Sequence, residues 1–254
     1  MPGSQTLRLP YRILNVFATD TEFSGNPLCV FEDGSALTSE EMLALARQFN
    51  LSETTFILPS ESASASVRIF TPAYEMPFAG HPTLGTSYVV SNLKNLGPKV
   101  TLQMAAGIIP VESPQADVWR LTANRPRWRA FEDSVAELAA ALSLSVADIA
   151  GPVLWVDSGN DQLLVPVVSE DAVLRATPHA ERLGKYGPTF KTLVFHLQGQ
   201  KARARFFFRQ RTGFAEDPAT GSACANLGGW ILAANYPMDE AYQPFASKSY
   251  AGRM

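Results

Sequence analysis

The run Gly213-Phe-Ala-Glu-Asp-Pro-Ala-Thr-Gly-Ser-Ala-Cys-Ala-Asn-Leu-Gly-Gly-Trp230 organises the reading of this chain. Residues 204–210, just before it, are a run of Arg and Phe with the character of a strand, and residues 223–234 are small and apolar with the character of a helix. The Pro and Gly residues between them therefore sit at a strand-to-helix turn. Such a turn leaves the first backbone N–H groups of the helix without intrahelical partners and points the positive end of the helix dipole outward. Gly221 and Ser222 can then present donors to a carboxylate or phosphate. A lone turn of this kind is also how an ordinary helix begins, with Thr220 or Ser222 as N-cap.

A second stretch repeats the same grammar. Residues 66–70 read as a strand, Glu75-Met-Pro-Phe-Ala-Gly-His-Pro-Thr-Leu-Gly85 as the turn, and the residues to 90 as a helix, with Gly80 and His81 at the helix mouth. Other segments repeat as well. Strand-like residues 13–16, a Ser24-Gly25-Asn26 turn and residues 28–31 are mirrored by residues 153–156, a Ser158-Gly159-Asn160 turn and residues 163–168. Each half thus runs hairpin, helix, strand, strand, glycine turn, helix. The pattern predicts two similar α+β domains, 1–124 and 125–254, with the charged, Pro126-containing residues 123–129 at the boundary. It also predicts that the two mouths face each other across one cleft.

Between these landmarks, residues 38–49 have helical spacing with Thr38 or Ser39 as N-cap, and Glu53 opens a strand over 54–58. Residues 100–104 and 107–112 read as strands, 134–142 and 145–149 as helices, 172–183 as a helix interrupted at Pro178, and 192–197 and 202–209 as strands.

Composition removes several classes of function. The 254 residues are 46% hydrophobic, enough for a full core, and the formal charge of -3 gives no basic footprint for nucleic acid or anionic membrane. No apolar stretch of about 18 residues and no signal-peptide core occur, so a soluble, cytoplasmic protein is expected. Two cysteines, Cys29 and Cys224, make no disulfide framework. His81, His179 and His196 fall into no metal-ligand spacing, so neither metal nor cofactor is expected.

The segments Glu75–Gly85 and Glu216-Asp-Pro-Ala-Thr-Gly-Ser-Ala223, together with Asn50-Leu-Ser-Glu-Thr54 and Phe23-Ser-Gly-Asn-Pro27, resemble the signature segments of the PhzF family of phenazine-biosynthesis isomerase-like proteins. The resemblance runs through nearly the whole chain. It implies the diaminopimelate epimerase-like fold, two pseudo-symmetric domains each wrapping a sheet around a central helix. It also implies a cofactor-independent isomerase acting on a small carboxylate substrate, as a homodimer. On this resemblance Glu53 is the general acid/base, His81 orients or protonates substrate, Asp217 holds its polar groups, and Gly80, Gly221 and Ser222 bind it. Glu75 and Glu216 occupy equivalent places and are read as tying their own turns, and Arg209 or Arg211 could meet an acid on the substrate.

The related epimerases and racemases carry a thiol at each mouth. Here neither mouth supplies one, and Cys224 falls inside the helix as a small apolar residue. An epimerase or racemase using other bases, or a binding protein on the same fold, are the alternatives. Family members also continue past a Gly-Arg-Pro-Ser-like segment, whereas this chain stops at Met254. An uncovered sheet edge in the second half, open to a neighbouring chain, is therefore expected.

Overall fold

The structure is a computed structural model that describes residues 7–18, 23–199, 201–210, 213–217 and 219–237, and the backbone of Ser249–Tyr250. The chain divides into two compact units, Met1–Thr122 with Ala246–Met254, and Ala123–Phe245.

In the first unit, strands β1 (Tyr11–Val16), β2 (Asn26–Phe31), β3 (Glu53–Leu58), β4 (Ala65–Phe70), β5 (Glu75–Met76), β6 (Lys99–Met104), β7 (Gly107–Gln115) and β8 (Val118–Leu121) build one sheet with helices α1 (Ser39–Phe49) and α2 (Gly80–Lys94). The order is β1-β2-β3-β4-β6-β7-β8, with β5 on β4 and the backbone of Ser249–Tyr250 added antiparallel to β8. Strand pairs β2/β3 and β4/β6 are parallel, as their crossover helices require.

Period-two alternation divides the side chains between two layers. Leu28 and Val30 join Leu84, Val89 and Val90 of α2 in one core, while Cys29, Phe31, Phe56 and Phe70 pack on Met42 and Ala46 of α1 in another. Nearly every residue of α2 from His81 to Ser91 is buried, so this helix is apolar or small all round and forms the axis of its unit. Gly85 sets how closely it approaches the sheet. A Cβ there would lie 2.6 Å from Leu28 Cδ2 and 2.9 Å from Val16 Cγ2.

The second unit repeats the plan with β9 (Arg127–Ala130), β10 (Leu154–Asp157), β11 (Asp161–Pro166), β12 (Lys191–Gln198), β13 (Lys201–Gln210) and β14 (Gly213–Asp217), ordered β14-β13-β12-β11-β10-β9. Leu164, Leu193, Phe195 and Phe206 face α6 (Gly221–Ala233) and meet Ala223, Leu227, Trp230 and Ile231. The opposite face, Leu163, Val165, Val194 and Phe207, is covered by α3 (Val135–Ala141), α4 (Glu170–Arg175) and α5 (Ala180–Leu183). Trp230 Nε1 donates to the Pro152 carbonyl at 2.8 Å and anchors α6.

Some elements depart from the sequence reading. Residues 213–217 are not part of a turn; they form strand β14, antiparallel to β13, and α6 starts at Gly221, not at 223. The interruption expected at Pro178 is present, since residues 176–179 leave the helical conformation between α4 and α5, and α4 begins earlier than expected, at Glu170. The boundary segment contains strand β9, whose four residues are all exposed and so show no alternation. It is held by pairing to β10, by Arg129 on Asp161 at 2.8 and 2.9 Å, and by the Arg129 guanidinium over the Trp155 ring at 4.8 Å.

Candidate functional site

Three helices start with conventional caps. The Thr38 hydroxyl accepts from Glu41 N while the Glu41 carboxylate accepts from Thr38 N at 2.8 Å, and Ser134 and Ser169 cap α3 and α4. The two central helices differ. α2 opens behind Ala79 and α6 behind Thr220, neither with a side-chain cap bond and neither with an acid in its first turn. Their leading N–H groups are thus left to face whatever enters the mouth, which suits an anion.

At the first mouth the structure brings together Glu53, Gly80 and His81. Glu53 is the first residue of β3, fixed by its parallel register with Leu28. Its neighbour Ser52 donates to Asn26 Oδ1 at 2.9 Å, which ties the strand start to the Ser24–Asn26 turn. Glu53 Oε2 lies 3.5 Å from His81 Nδ1, with side-chain exposures of 17% and 5%. Burial lowers the His81 pKa to about 3, outweighing the hydrogen bond accepted by the Pro27 carbonyl. The contact is therefore between a carboxyl group and a neutral imidazole, not an ion pair. His81 Nε2 has no hydrogen-bond partner among the described residues.

At the second mouth stand Asp217, Gly221 and Ser222. Asp217 ends β14 and braces the turn, accepting from Thr220 Oγ1 at 2.6 Å and from Ala219 N at 3.3 Å. The Thr220 hydroxyl is thereby engaged with the turn and does not cap the helix. Ser222 Oγ accepts from Gln162 Nε2 at 2.9 Å, so the hydroxyl hydrogen is free to point elsewhere.

The remaining candidates behave structurally. Glu75 binds Arg68 through both oxygens, at 2.7 and 2.5 Å, and Glu216 binds Arg205 at 2.9 and 2.7 Å. Each ties a short outer strand to its neighbour. Arg209 lies against Gly184, and Arg211 falls outside the described residues. Burial raises the thiol of Cys29 to about 12 and that of Cys224 to about 11. The sequence reading does not single out Gln162 or Lys191, because their places follow from strand register and not from a local motif.

Among the described residues no group of three or more His, Cys, Asp or Glu is placed to hold a metal ion, and no helix is long and apolar enough to cross a membrane. A duplicated unit with a sheet around a central, uncapped helix defines the diaminopimelate epimerase-like fold. A probable proline racemase from Agrobacterium radiobacter, 12% identical with a TM-score of 0.60 over 91% of this chain and 78% of its own, shows that fold alone. Residues 14–246 match the phenazine biosynthesis-like protein family, PhzC-PhzF, and the chain belongs to that family.

It is similar to an uncharacterised isomerase of Pasteurella multocida, 37% identical over 224 residues, which are 87% of this chain and 77% of the relative. The trans-2,3-dihydro-3-hydroxyanthranilate isomerase of Pseudomonas aeruginosa is 33% identical over 222 residues, 85% of this chain and 77% of that one. The crystal structure of a PhzF-family protein from Bacillus anthracis matches with a TM-score of 0.78 at 28% identity, over 89% of this chain and 80% of that chain. The chain is an isomerase of this family.

Proposed function

We propose that the protein is a cofactor-independent isomerase that moves a proton between carbons of a small unsaturated or cyclic amino or hydroxy acid, with Glu53 as the proton carrier. The observation that carries this reading is the Glu53–His81 contact at an uncapped helix mouth, with the imidazole held neutral by burial. The Glu53 carboxylate takes a proton from a saturated ring carbon beside a double bond. The electron pair left behind shifts the unsaturation along the ring, and protonated Glu53 returns the proton to the carbon at the far end. With its one ring hydrogen given to the Pro27 carbonyl, a neutral His81 can accept a hydrogen bond at Nε2 without competing for that proton. Gly221 and Ser222 take the substrate carboxylate, and Asp217 shapes their turn. A racemase working through two thiolates has no support, since both thiols are raised well above neutral pH.

The relatives name trans-2,3-dihydro-3-hydroxyanthranilate as the compound to try first. In deuterated water, wild-type enzyme should place solvent deuterium in the product, because the protonated acid exchanges between its two steps. Glu53→Gln keeps the shape but cannot take up the proton, so turnover should fall by about 10²–10⁴-fold. Near-wild-type turnover by Glu53→Gln on a compound the wild type converts would remove Glu53 from the chemistry.

A further inference from the structure

The internal duplication can be carried down to single residues. Arg68 pairs with Glu75 and Arg205 with Glu216, so these are the same positions in the two units. Arg68 stands opposite Phe56 on β3, and Arg205 stands opposite Val194 on β12. Three residues before Phe56 is Glu53, and three before Val194 is Lys191. Each is the first residue of its strand. Five residues after the paired glutamates come Gly80 and Gly221, each the first residue of its central helix, followed by His81 and Ser222. Lys191 is therefore the positional counterpart of Glu53, and Ser222 that of His81.

The surroundings of Lys191 are unusual for a structural lysine. It is half-buried, on the same face of β12 as Leu193 and Phe195, the face that packs on α6. Its neighbour across the parallel register, one step before the Leu163–Thr192 pair, is Gln162, which is fully buried and reaches Ser222. Gln162 Oε1 has no hydrogen-bond partner among the described residues. The hydrogen bond of the Lys191 ammonium goes to a neutral group, Asn160 Oδ1, at 2.7 Å. The acid acting on it, Asp161, is itself held by Arg129 through both oxygens. A half-buried ammonium held by a neutral amide thus lies on the α6-facing side of the sheet next to Gln162, which reaches Ser222 at the uncapped helix start. The Asp217 carboxylate at that mouth is engaged with Thr220 and Ala219.

We propose that Lys191 is the cation of a carboxylate-binding site at the α6 mouth. It acts with the leading N–H groups of α6 and the Ser222 hydroxyl, so that the position that holds a proton-carrying acid in one unit holds a carboxylate-binding base in the other. This rests on the isomerase reading above and adds the residue that selects for an acid substrate. Asn160, held in turn by Asn226 through its carbonyl, orients the ammonium, and Gln162 orients Ser222.

The test uses anthranilate and anthranilamide, which differ only in carrying a carboxylate or a neutral amide. Binding is measured by calorimetry to the wild type, Lys191→Met, Lys191→Arg and Glu53→Gln, with thermal unfolding of each recorded. Wild type should prefer anthranilate by about ten- to a hundred-fold, the scale of one charge-assisted contact. Lys191→Met should lose that preference while still binding anthranilamide like the wild type, and Lys191→Arg should largely restore it. The proposal is overturned if wild type binds both compounds alike, if Lys191→Met keeps the preference, or if Lys191→Met weakens both compounds equally, as a purely structural lysine would. Glu53→Gln should keep the preference. Because this readout needs no turnover, normal turnover by Glu53→Gln would sink the acid/base reading and leave the role of Lys191 standing or falling on the binding preference alone.

Discussion

Glu53 Oε2 and His81 Nδ1 are 3.5 Å apart, yet the histidine is neutral, because the ring is so thoroughly buried that desolvation outweighs the pull of nearby acceptors. This has a consequence for stability. In the unfolded chain the imidazole takes up a proton below about pH 6.5, whereas the folded one resists protonation down to about 3. The unfolded state thus binds more protons across that window. Stability should fall as pH drops from about 6.5 toward 3, by up to about 1.4 kcal/mol per pH unit from this group. The comparison to make is urea unfolding of wild type and His81→Asn between pH 4 and 7. The variant should show a flatter pH dependence, and the His81 ring signals in NMR should stay those of neutral imidazole to pH 5. A ring that titrates near pH 6.5 would refute the assignment.

The thiols offer a simpler check. Cys29 is fully buried in the α1 core and Cys224 lies within α6, and burial raises both pKa values, to about 12 and 11. Neither should react readily with iodoacetamide at pH 7.5. The double change of Cys29 and Cys224 to Ala should keep turnover within about two-fold and lose on the order of 1 kcal/mol of stability, mostly through the space left at Cys29. Loss of activity on alkylation, at unchanged fold, would restore a thiol mechanism.

The duplicated ion pairs Arg68–Glu75 and Arg205–Glu216 are partly exposed, and each arginine also lies over a phenylalanine, 5.0 Å from the Phe70 centroid and 4.7 Å from that of Phe207. Their reach in solution is screened, so Glu75→Gln and Glu216→Gln should each cost no more than about 1 kcal/mol. Glu216→Gln should be the more costly, because the Arg205 guanidinium also donates to the carbonyls of Leu174 and Ala176 at the end of α4, and its orientation depends on the glutamate. Chemical denaturation of the two single variants measures this. Equal losses would argue that the α4 contacts hold Arg205 unaided.

Much of this was legible in the sequence where local chemistry and packing agree. Thr38 is one of the two N-caps the sequence offers for α1, and the structure caps the helix there, adding a capping box with Glu41. The Glu-x-x-x-x-Gly segments and Ser-Gly-Asn turns announced a duplication, and the central helices start at Gly80 and Gly221, the second two residues earlier than the sequence suggested. What could not be read is what depends on pairing across strands. Arg127–Ala130 has no apolar alternation and becomes a strand only through β10. Gly213–Asp217 looked like a turn because its glycine and acids are turn residues, but β13 offers it an unpaired edge. Lys191 lies 138 positions from Glu53 in number alone, and only the strand register shows the two to be counterparts.

The second mouth depends on one buried amide. Asn226 is fully buried in the second turn of α6, where its Oδ1 accepts from Ser158 N at 2.8 Å and its Nδ2 donates to the Asn160 carbonyl at 2.7 Å. Counted from the helix starts, the corresponding residue of the first unit is Gly85, which leaves α2 close to the sheet and makes no such bonds. In the second unit a side chain therefore does by hydrogen bonding what close packing does in the first. Asn226→Ala would strand a backbone donor and a backbone acceptor in a dry interior, each at a cost of about 1–3 kcal/mol, so the loss should total about 2–6 kcal/mol. Asn226→Asp can still accept from Ser158 N but cannot donate to Asn160, and as a buried charge beside a carbonyl it should be no better than Ala. Because Asn160 also holds the Lys191 ammonium, a loosened turn should weaken anthranilate more than anthranilamide at temperatures where the variant is still folded. Urea unfolding gives the first quantity and calorimetry the second. An Asn226→Ala protein as stable as wild type would show that water replaces the amide at this turn, and that the Ser158–Asn160 segment does not depend on α6 for its shape.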